Sequence, residues 1–507
     1  MIENIDIVIC SIPRMSIYYP PSAPAILKSC VEKHGFTCKT IDFVIRFHTK
    51  FFENPLWEKI DNWLSVPEIQ DPEILQLLSQ EVTLWAEEIS SLNPRWLGIS
   101  VFSYESHKIT RLFVSIMKKV NPKIKIVLGG MGVTDDFNGF APSLKLLGLI
   151  NDYIIGDGED SLPQLLSGQA PNTQQLENLN TYPFPNWNDY DLDMYKYQKN
   201  VQNKKQLTGK NIWQGFGNEW YRSDEILTLP ITASRGCVRN CSFCDVPILW
   251  PKYKSRSAVN VAEELISNYE KYNVQRFHFT DSLINGNMKN FRELCRILAD
   301  YRIKNNADFT ITGQYIIRPH SGETDKDYEV MSQAGVKILE VGIESGSQAV
   351  RFHMGKKFTN DDINVFMDRV NKNGIKVVYL LIVGYPTETV ADFQQTLDLL
   401  SDNSKYRENG TIVEACLGGT LRIEPGTKLS KDPQVHFIAM EENKKDDLLW
   451  EYESNPTLTL KERIRRRLVL LEHASKLNYL SPTNEQEILY LKSKWATLKD
   501  YDKQITS

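Results

Sequence analysis

Apolar and polar positions fall into a strand-then-helix rhythm that runs along the chain in two passes. The first opens with IDIVICSIP (5–13), an apolar run of strand length, and a proline-rich loop, YYPPSAPAI. A helix follows and stops near His34-Gly35, where glycine suits a helix C-cap. TCKTIDFV reads as the second strand. Beyond an irregular, tryptophan-containing helical stretch come the strands WLGISVF (96–102), KIKIVLGG (123–130) and DYIIGDGE (152–159), with a helix around Ile109 to Val120. Apolar strands alternating with helices predict a Rossmann-like, doubly wound parallel sheet over residues 1–170. Ligands of such sheets bind at the carboxyl ends of the strands. Pro21 of the PPSAP loop, Ser103 of the SVFSYES turn, Gly129, Gly130, Gly156, Gly158 and Glu159 are placed there.

The second pass begins near residue 226. ILTLPITAS, VQRFHFTDS, FTITGQYI, ILEVGIES, VVYLLIVGYP and TIVEACLGGTLRIEPGT read as successive strands with helices between them. Such β/α units predict an open, partial (β/α)6 TIM-type barrel over 226–430, with its site at the carboxyl ends of the strands. Thr280-Asp281-Ser282, Gln314, Glu344-Ser345, Gly384 and Pro386 stand at those ends. Residues 171–225, polar and rich in Asn, Pro and Tyr, fit neither period and read as an inter-domain linker or strap. From 431 to 507 the chain is charged and is predicted helical, with LTLKERIRRRLVLLEHASKL and NEQEILYLKSKWATL as amphipathic helices.

Composition narrows the classes. At 507 residues, with 41% hydrophobic and 10% aromatic positions, the chain is long and apolar enough for several well-cored domains. A net charge of −5 gives no global signal for nucleic acid or an anionic membrane. The one dense basic run, KERIRRRL (461–468), reads as a solvated helix face, with RNA contact as the alternative. No apolar stretch approaches the ~18–20 residues of a membrane helix. The acidic opening without a cleavage signal, and eight cysteines in so long a chain, lead to the expectation of a reducing, cytoplasmic setting.

The densest chemistry lies in ASRGCVRNCSFCDVP, where Cys237, Cys241 and Cys244 are spaced C-x3-C-x2-C. Three thiolates this close can hold three corners of a cubane iron–sulfur cluster and leave one iron open. An open coordination position is where chemistry happens, as in catalytic as opposed to structural metal sites. The next cysteine, Cys295, falls in a predicted helix, which weakens a closed four-cysteine site. A structural zinc or a metal-binding regulatory protein is the non-enzymatic alternative.

This spacing, with Phe243 just before the last cysteine, resembles the signature of the radical S-adenosylmethionine (SAM) superfamily. The resemblance implies a [4Fe-4S] cluster whose open iron is chelated by SAM, cleaved after one-electron reduction to a 5′-deoxyadenosyl radical. It also implies a reductant such as flavodoxin or ferredoxin. Carried over residue by residue, Phe243 is expected near the adenine, and Asp281 and Ser282 near the methionine amino group, where the family often has Gly-Gly-Glu. Glu344 and Ser345 are expected along the ribose and carboxylate, Gly384 to Pro386 beneath the adenine, and Gln314 is a further SAM candidate at its strand end. Arg351 is a weaker candidate for the SAM carboxylate, an exposed helix arginine being the commoner role.

The N-terminal set, VLGG followed by IIGDGEDSLPQLL, resembles the cobalamin-binding domain of many radical SAM enzymes. The D-x-H-x-x-G motif of cobalamin mutases is absent, and no G-x-G-x-x-G follows the first strand. With cobalamin, the implied reaction is methyl transfer to an unactivated carbon or phosphorus. Without it, the domain is a scaffold and rearrangement, cyclisation or C–S bond formation, including methylthiotransferase-like chemistry, is implied. Methylthiotransferases of tRNA also carry three N-terminal cysteines on a second cluster, but the Cys10, Cys30, Cys38 arrangement fits that pattern poorly. Cys416, on the sixth strand, reads as a core cysteine, with a radical relay as the alternative.

Overall fold

The structure is a computed structural model describing residues 5–134, 139–171, 175–196, 226–441, 444–480, 487–489 and 491–492. The chain divides into two compact units, Met1–Lys199 with Leu227–Pro230, and Asn200–Ile226 with Ile231–Ser507.

In the first unit, strands β1 (Ile7–Ser11), β2 (Cys38–Asp42), β3 (Trp96–Ser100), β4 (Lys125–Gly129) and β5 (Asp152–Tyr153) form a sheet in the order β2-β1-β3-β4-β5. Every pairing is parallel. Helices α1 (Ser22–Lys33), α2 (Phe43–Phe51), α3 (Trp57–Ser65), α4 (Pro72–Ser91), α5 (His107–Val120), α6 (Phe140–Leu146) and α7 (Gly158–Leu166) cover it. Alternation along β1 shows why both faces need covering. Val8 and Cys10 enter a core with Trp85 and Phe113, whereas Ile7 and Ile9 enter another with Val31 and Leu162. Phe43 stacks on Trp85 at 4.5 Å in the first of these cores. The predicted second strand stops at Asp42, because that carboxylate caps α2 by accepting from the Val44 amide at 3.0 Å.

The described part of the predicted linker, 175–196, lies on this unit. Asn186 donates its amide to Ala25 O at 3.0 Å, Ser29 Oγ donates to Phe184 O at 2.7 Å, and Asp189 accepts from the Thr40 amide at 2.8 Å. Tyr195 hydrogen-bonds Asp42, and Lys28 pairs with Asp189. Residues 197–225 lie outside the described residues.

The second unit is built on a six-stranded sheet in the order β13-β12-β11-β10-β9-β6, whose edge strand β6 begins in the 227–230 segment counted with the first unit. Its strands are β6 (Thr228–Ile231), β9 (Arg276–Phe279), β10 (Thr310–Tyr315), β11 (Val336–Glu344), β12 (Lys376–Val383) and β13 (Ile412–Thr420). A short ladder, β7 (Ser234–Arg235) with β8 (Lys254–Ser255), follows β6. The helices between are α8 (Val246–Leu249), α9 (Ala258–Tyr272), α10 (Met288–Asn305), α11 (Asp325–Gln333), α12 (Gln348–Met354), α13 (Asn360–Lys372), α14 (Val390–Asp402) and α15 (Ser404–Glu408). Thr324/Asp327, Thr359/Asp362 and Thr389/Asp392 each form a reciprocal capping box that starts α11, α13 and α14.

The two faces of this sheet differ. Tyr315 packs on Phe291 of α10 and Phe366 of α13, so its row, with Leu339, Val341, Tyr379 and Ala415, faces the helices and is fully buried. The alternate row carries His278, Thr312, Gln314, Glu340, Glu414 and Cys416 on the interior face.

Beyond residue 431 the expected helical segment is present, preceded by a strand pair. An antiparallel hairpin, β14 (Val435–Glu441) with β15 (Lys444–Tyr452), precedes helix α16 (Leu460–Lys476). The basic run on α16 is not a solvated face. Arg463, Arg466 and Arg467 are buried, stacking on Trp450 at 3.7 Å, pairing with Glu388 at 3.0 Å and pairing with Glu487, respectively. Nor do these three arginines present charge to RNA. Helix α16 and the chain after it meet the edge of the sheet, since the Ala415 amide donates to Tyr479 O at 3.0 Å and Arg467 Nη1 donates to Leu417 O at 3.1 Å. Of the last predicted helix, residues 487–489 and 491–492 are described and are helical. Among the described residues no helix is long and apolar enough to cross a membrane.

Candidate functional site

The cysteine loop leaves β7 through Gly236, whose φ is +79° and where a Cβ would stand 2.8 Å from Lys252 O. Asp281 fixes the loop's start, accepting from the Ala233 amide at 2.9 Å and from Ser234 Oγ. Burial pushes the Asp281 carboxyl up to about 6, against those hydrogen bonds. Both of its oxygens thus hold the loop. Farther along, the Ser242 amide donates to Met354 O at 3.0 Å, and the Leu429 amide donates to Ser242 O at 2.8 Å. Ser242 Oγ meets the Tyr385 hydroxyl at 2.7 Å. Gly355, at φ +89°, lets α12 end against the backbone of Asn240 and Cys241.

Cys241 is buried and Cys237 and Cys244 are half-buried. The Arg239 amide donates to Cys237 Sγ at 3.3 Å. Burial pushes the Cys244 thiol up to about 11, so a metal binding here must displace protons. Burial raises Cys241 as well, and Lys356 opposes the rise. Among the described residues no three His, Cys, Asp or Glu side chains converge on one ion. A cubane spreads its ligands over separate irons, so its thiolates need not converge on a point. Three sulfur donors on one loop, with no fourth, suit that cluster's chemistry better than a closed tetrahedral ion.

Lys356, which the sequence pattern did not single out, is a cation of this site, as is Arg239 of the loop itself. Its Nζ lies 2.7 Å from Glu344 Oε1 and 3.1 Å from Gly342 O. Burial opposes its charge, yet Glu344 and the thiols of Cys241 and Cys237 outweigh that and hold the ammonium above the ordinary lysine range. Glu344 ends β11 at φ +67°. A Cβ on Gly342 would come within 2.5 Å of Glu344 Oε1, so glycine makes room for the pair.

The other predicted SAM residues divide. Ser282 and Gln314 are half-buried, and Gln314 is on the interior row of β10. Ser345 is fully buried and accepts from the Ser347 amide at 3.1 Å. Arg351 is not an exposed helix arginine. It is wholly buried and donates to Ser345 O at 2.7 Å and Gly346 O at 3.0 Å, clamping that turn. Phe243 packs beside Val350, Met354 and Tyr385. Gly384, at φ +77°, turns its open side to Arg463, 2.7 Å from where a Cβ would be, so that approach is filled by α16. Pro386 is buried, with its carbonyl accepting from Asn455 Nδ2 at 3.0 Å.

At the carboxyl edge of the first unit's sheet, Phe102, Tyr104 and Met131 are 47%, 52% and 47% exposed. This edge is a switch point of the sheet, where β1 and β3 lead in opposite directions. Ser103 lies between the two aromatics and is half-buried. The glycines have packing duties there. A Cβ on Gly130 (φ +105°) would stand 2.4 Å from Val101 O, and one on Gly158 would stand 3.0 Å from Leu27. Gly156 is exposed at φ +83°, and only a backbone oxygen at 3.9 Å approaches Gly129. Pro21 and Glu159 are buried, and the Pro21 carbonyl accepts from the Tyr190 hydroxyl at 3.2 Å. His107 Nε2 lies 2.7 Å from Gly132 O and its ring stacks on Phe140, which holds the glycine loop in place.

Residues 231–400 match the family model described as the radical SAM superfamily. That segment is a radical SAM domain. An uncharacterized methyltransferase of Pyrococcus horikoshii is 22% identical over 363 residues, 66% of this chain and 70% of the relative. A putative methylthiotransferase of Methanocaldococcus jannaschii is 27% identical over 58% of this chain and 62% of its own length. Cytidylyl-2-hydroxyethylphosphonate methyltransferase of Streptomyces wedmorensis is 24% identical over 45% of this chain. The chain covers 40% of the Streptomyces enzyme, well under two thirds. Among solved structures, the radical SAM methyltransferase TsrM of Kitasatospora setae, with cobalamin and a [4Fe-4S] cluster bound, superposes at TM-score 0.56 and 16% identity over 88% of this chain and 78% of its own. The cobalamin-dependent radical SAM enzyme OxsB superposes at TM-score 0.59 and 14% identity over 98% of this chain and 72% of its own. The chain thus shares the fold of these two solved enzymes over most of its length.

Proposed function

We propose that this enzyme is a cobalamin-dependent radical SAM methyltransferase acting on an unactivated carbon or phosphorus centre. The observation that carries the reading is the joining, in one chain, of an open three-cysteine loop to a 2-1-3-4-5 sheet whose carboxyl edge exposes Phe102, Tyr104 and Met131. Cys237, Cys241 and Cys244 would hold the cluster, and the first unit's switch-point edge would take the corrin. Bound there, the cluster supplies the electron that splits SAM, and cobalamin carries the methyl group. The chain's own part is positional. Asp281, Met354 and Tyr385 hold the cysteine loop, Lys356 balances the negative charge of the thiolates, and Glu344 orients Lys356. A flavodoxin or ferredoxin would serve as reductant.

Methylthiotransferase chemistry is the second reading, since relatives of that name match the chain. Against it, Cys10 and Cys30 are buried in β1 and α1, and burial drives the Cys10 thiol far up. Those cysteines behave as core side chains rather than as ligands of a second cluster.

Anaerobic reconstitution with iron, sulfide and hydroxocobalamin, followed by metal counts and incubation with SAM and a reductant, tests the proposal. About four irons, about one retained cobalt and release of 5′-deoxyadenosine are expected. Four irons without cobalt would remove the methyltransferase reading, and a single zinc without sulfide would remove both. Cys241→Ala should lose the cluster and SAM cleavage together.

A further inference from the structure

The interior face of the second unit's sheet carries a polar row that the cluster and its loop do not use. Register places Gln314 of β10 opposite Glu340 of β11, Glu340 opposite Val378 of β12, and Val378 opposite Glu414 of β13. Cys416 lies two residues along β13 on the same face. The neighbours of Glu340, Leu339 and Val341, are fully buried on the helix side, so the Glu340 side chain points the other way, into the barrel. Glu340 is 2% exposed. Among the described residues no hydrogen bond or ion pair reaches it, and none reaches the Gln314 side chain. Burial pushes the Glu340 carboxyl up to about 7, and Cys416 senses both Glu340 and Glu414. Among the described residues, Arg467, also sensed by Cys416, is paired with Glu487, and Lys356 is paired with Glu344.

A buried carboxylate without a partner costs stability and is expected to find a counter-charge or a donor when the site is filled. We propose that Glu340, with Gln314 and Glu414 beside it, is the subsite that receives a protonated nitrogen of the substrate, an alkylammonium or guanidinium group. Resting on the radical SAM reading, this places the substrate among compounds with a basic nitrogen and anchors it in the barrel interior. The Gln314 amide oxygen supplies a second, neutral acceptor, which suits a group with more than one N–H.

The test uses the full chain, reconstituted anaerobically, with n-butylammonium and methylguanidinium as probes and n-butanol as the neutral match. Binding is followed by calorimetry, and the protonated-carboxyl stretch of Glu340 by difference infrared spectroscopy against Glu340→Gln. The cations should bind in preference to butanol and abolish the carboxyl band. Glu340→Gln should weaken them by about ten- to a hundredfold, the range of a charge-assisted hydrogen bond. Gln314→Leu, which leaves the carboxylates in place, should weaken them less and provides the same readout if Glu340→Gln fails to fold. Equal binding of butanol, unchanged cation affinity in the variants, or displacement of the probes by saturating SAM would overturn the proposal, the last because the row would then serve SAM's own charges. Iron content and SAM cleavage, measured on the unsubstituted protein, report separately on the radical SAM reading.

Discussion

Replacing Lys356 by Met keeps the aliphatic stem and removes one charge from a site where it is hard to spare. The Glu344 and Lys356 side chains are only 10% and 11% exposed and meet at 2.7 Å, and Cys241 and Cys237 add negative character on the lysine's other side. Removing one partner of a buried pair costs about 3–5 kcal/mol, because the remaining charge is stranded. For a unit of this size, about 1 kcal/mol lowers the melting temperature by about 2–4 °C, so a drop of about 6 °C or more is expected in the transition containing the barrel. Lys356→Met/Glu344→Gln should recover most of that loss, since a neutral amide needs no counter-ion. Thermal unfolding of the cluster-free protein gives the double-mutant cycle, and iron retention after reconstitution gives the effect on the thiolates. Additive losses in the double variant, with a coupling below about 0.5 kcal/mol, would refute the claim that the pair acts as a unit. So would an iron content in Lys356→Met equal to that of the unsubstituted protein.

Gly130→Ala forces a Cβ to within 2.4 Å of Val101 O at φ +105°, so it should destabilise the first unit by about 2 kcal/mol or more and lower cobalt retention while iron content holds. Measured cobalt-to-iron ratios check this. Glu340 titrates with a folded value of about 7 against an unfolded value near 4.5, so the folded state holds a proton that the unfolded chain has already lost. Stability should therefore fall as pH rises from about 4.5 to 7 and level off above, by about 3 kcal/mol for this group. Glu340→Gln should remove that slope, and denaturant melts at pH 5, 6, 7 and 8 would show no difference between the two proteins if the reasoning fails. Arg466→Met strands Glu388, which is 1% exposed, and should cost about 3–5 kcal/mol in the same melts.

The strands were legible because each is an apolar run closed by polar or glycine positions, and the order of elements followed from their alternation. The strand pair β14–β15 was not, since VHFIAMEENKKDDLLWEY interrupts its apolar positions with a charged stretch whose pattern mimics a helix surface. The buried arginines misled for a related reason. A basic run looks solvated until its partners are known, and Glu388 and Glu487 lie far from it in sequence. The spacing of Arg463, Arg466 and Arg467 did hold a clue, as positions i, i+3 and i+4 share one helix face. In the site, the cysteine triplet was visible as local spacing. Lys356 was not, because no periodicity ties a loop lysine to a strand-end glutamate twelve residues earlier. Glu340 could have been found as an acidic position inside an otherwise apolar strand, where alternation already assigns it to the interior.

The closure of β13 by Tyr479 and Arg467 also sets an order of events during synthesis. A ribosome delivers β13 well before it delivers the segment that covers its edge, so for that interval the nascent barrel presents an unpaired strand to other chains. Synthesis that stalls before residue 480 leaves that strand bare, ready to pair with the same edge on a neighbouring nascent chain.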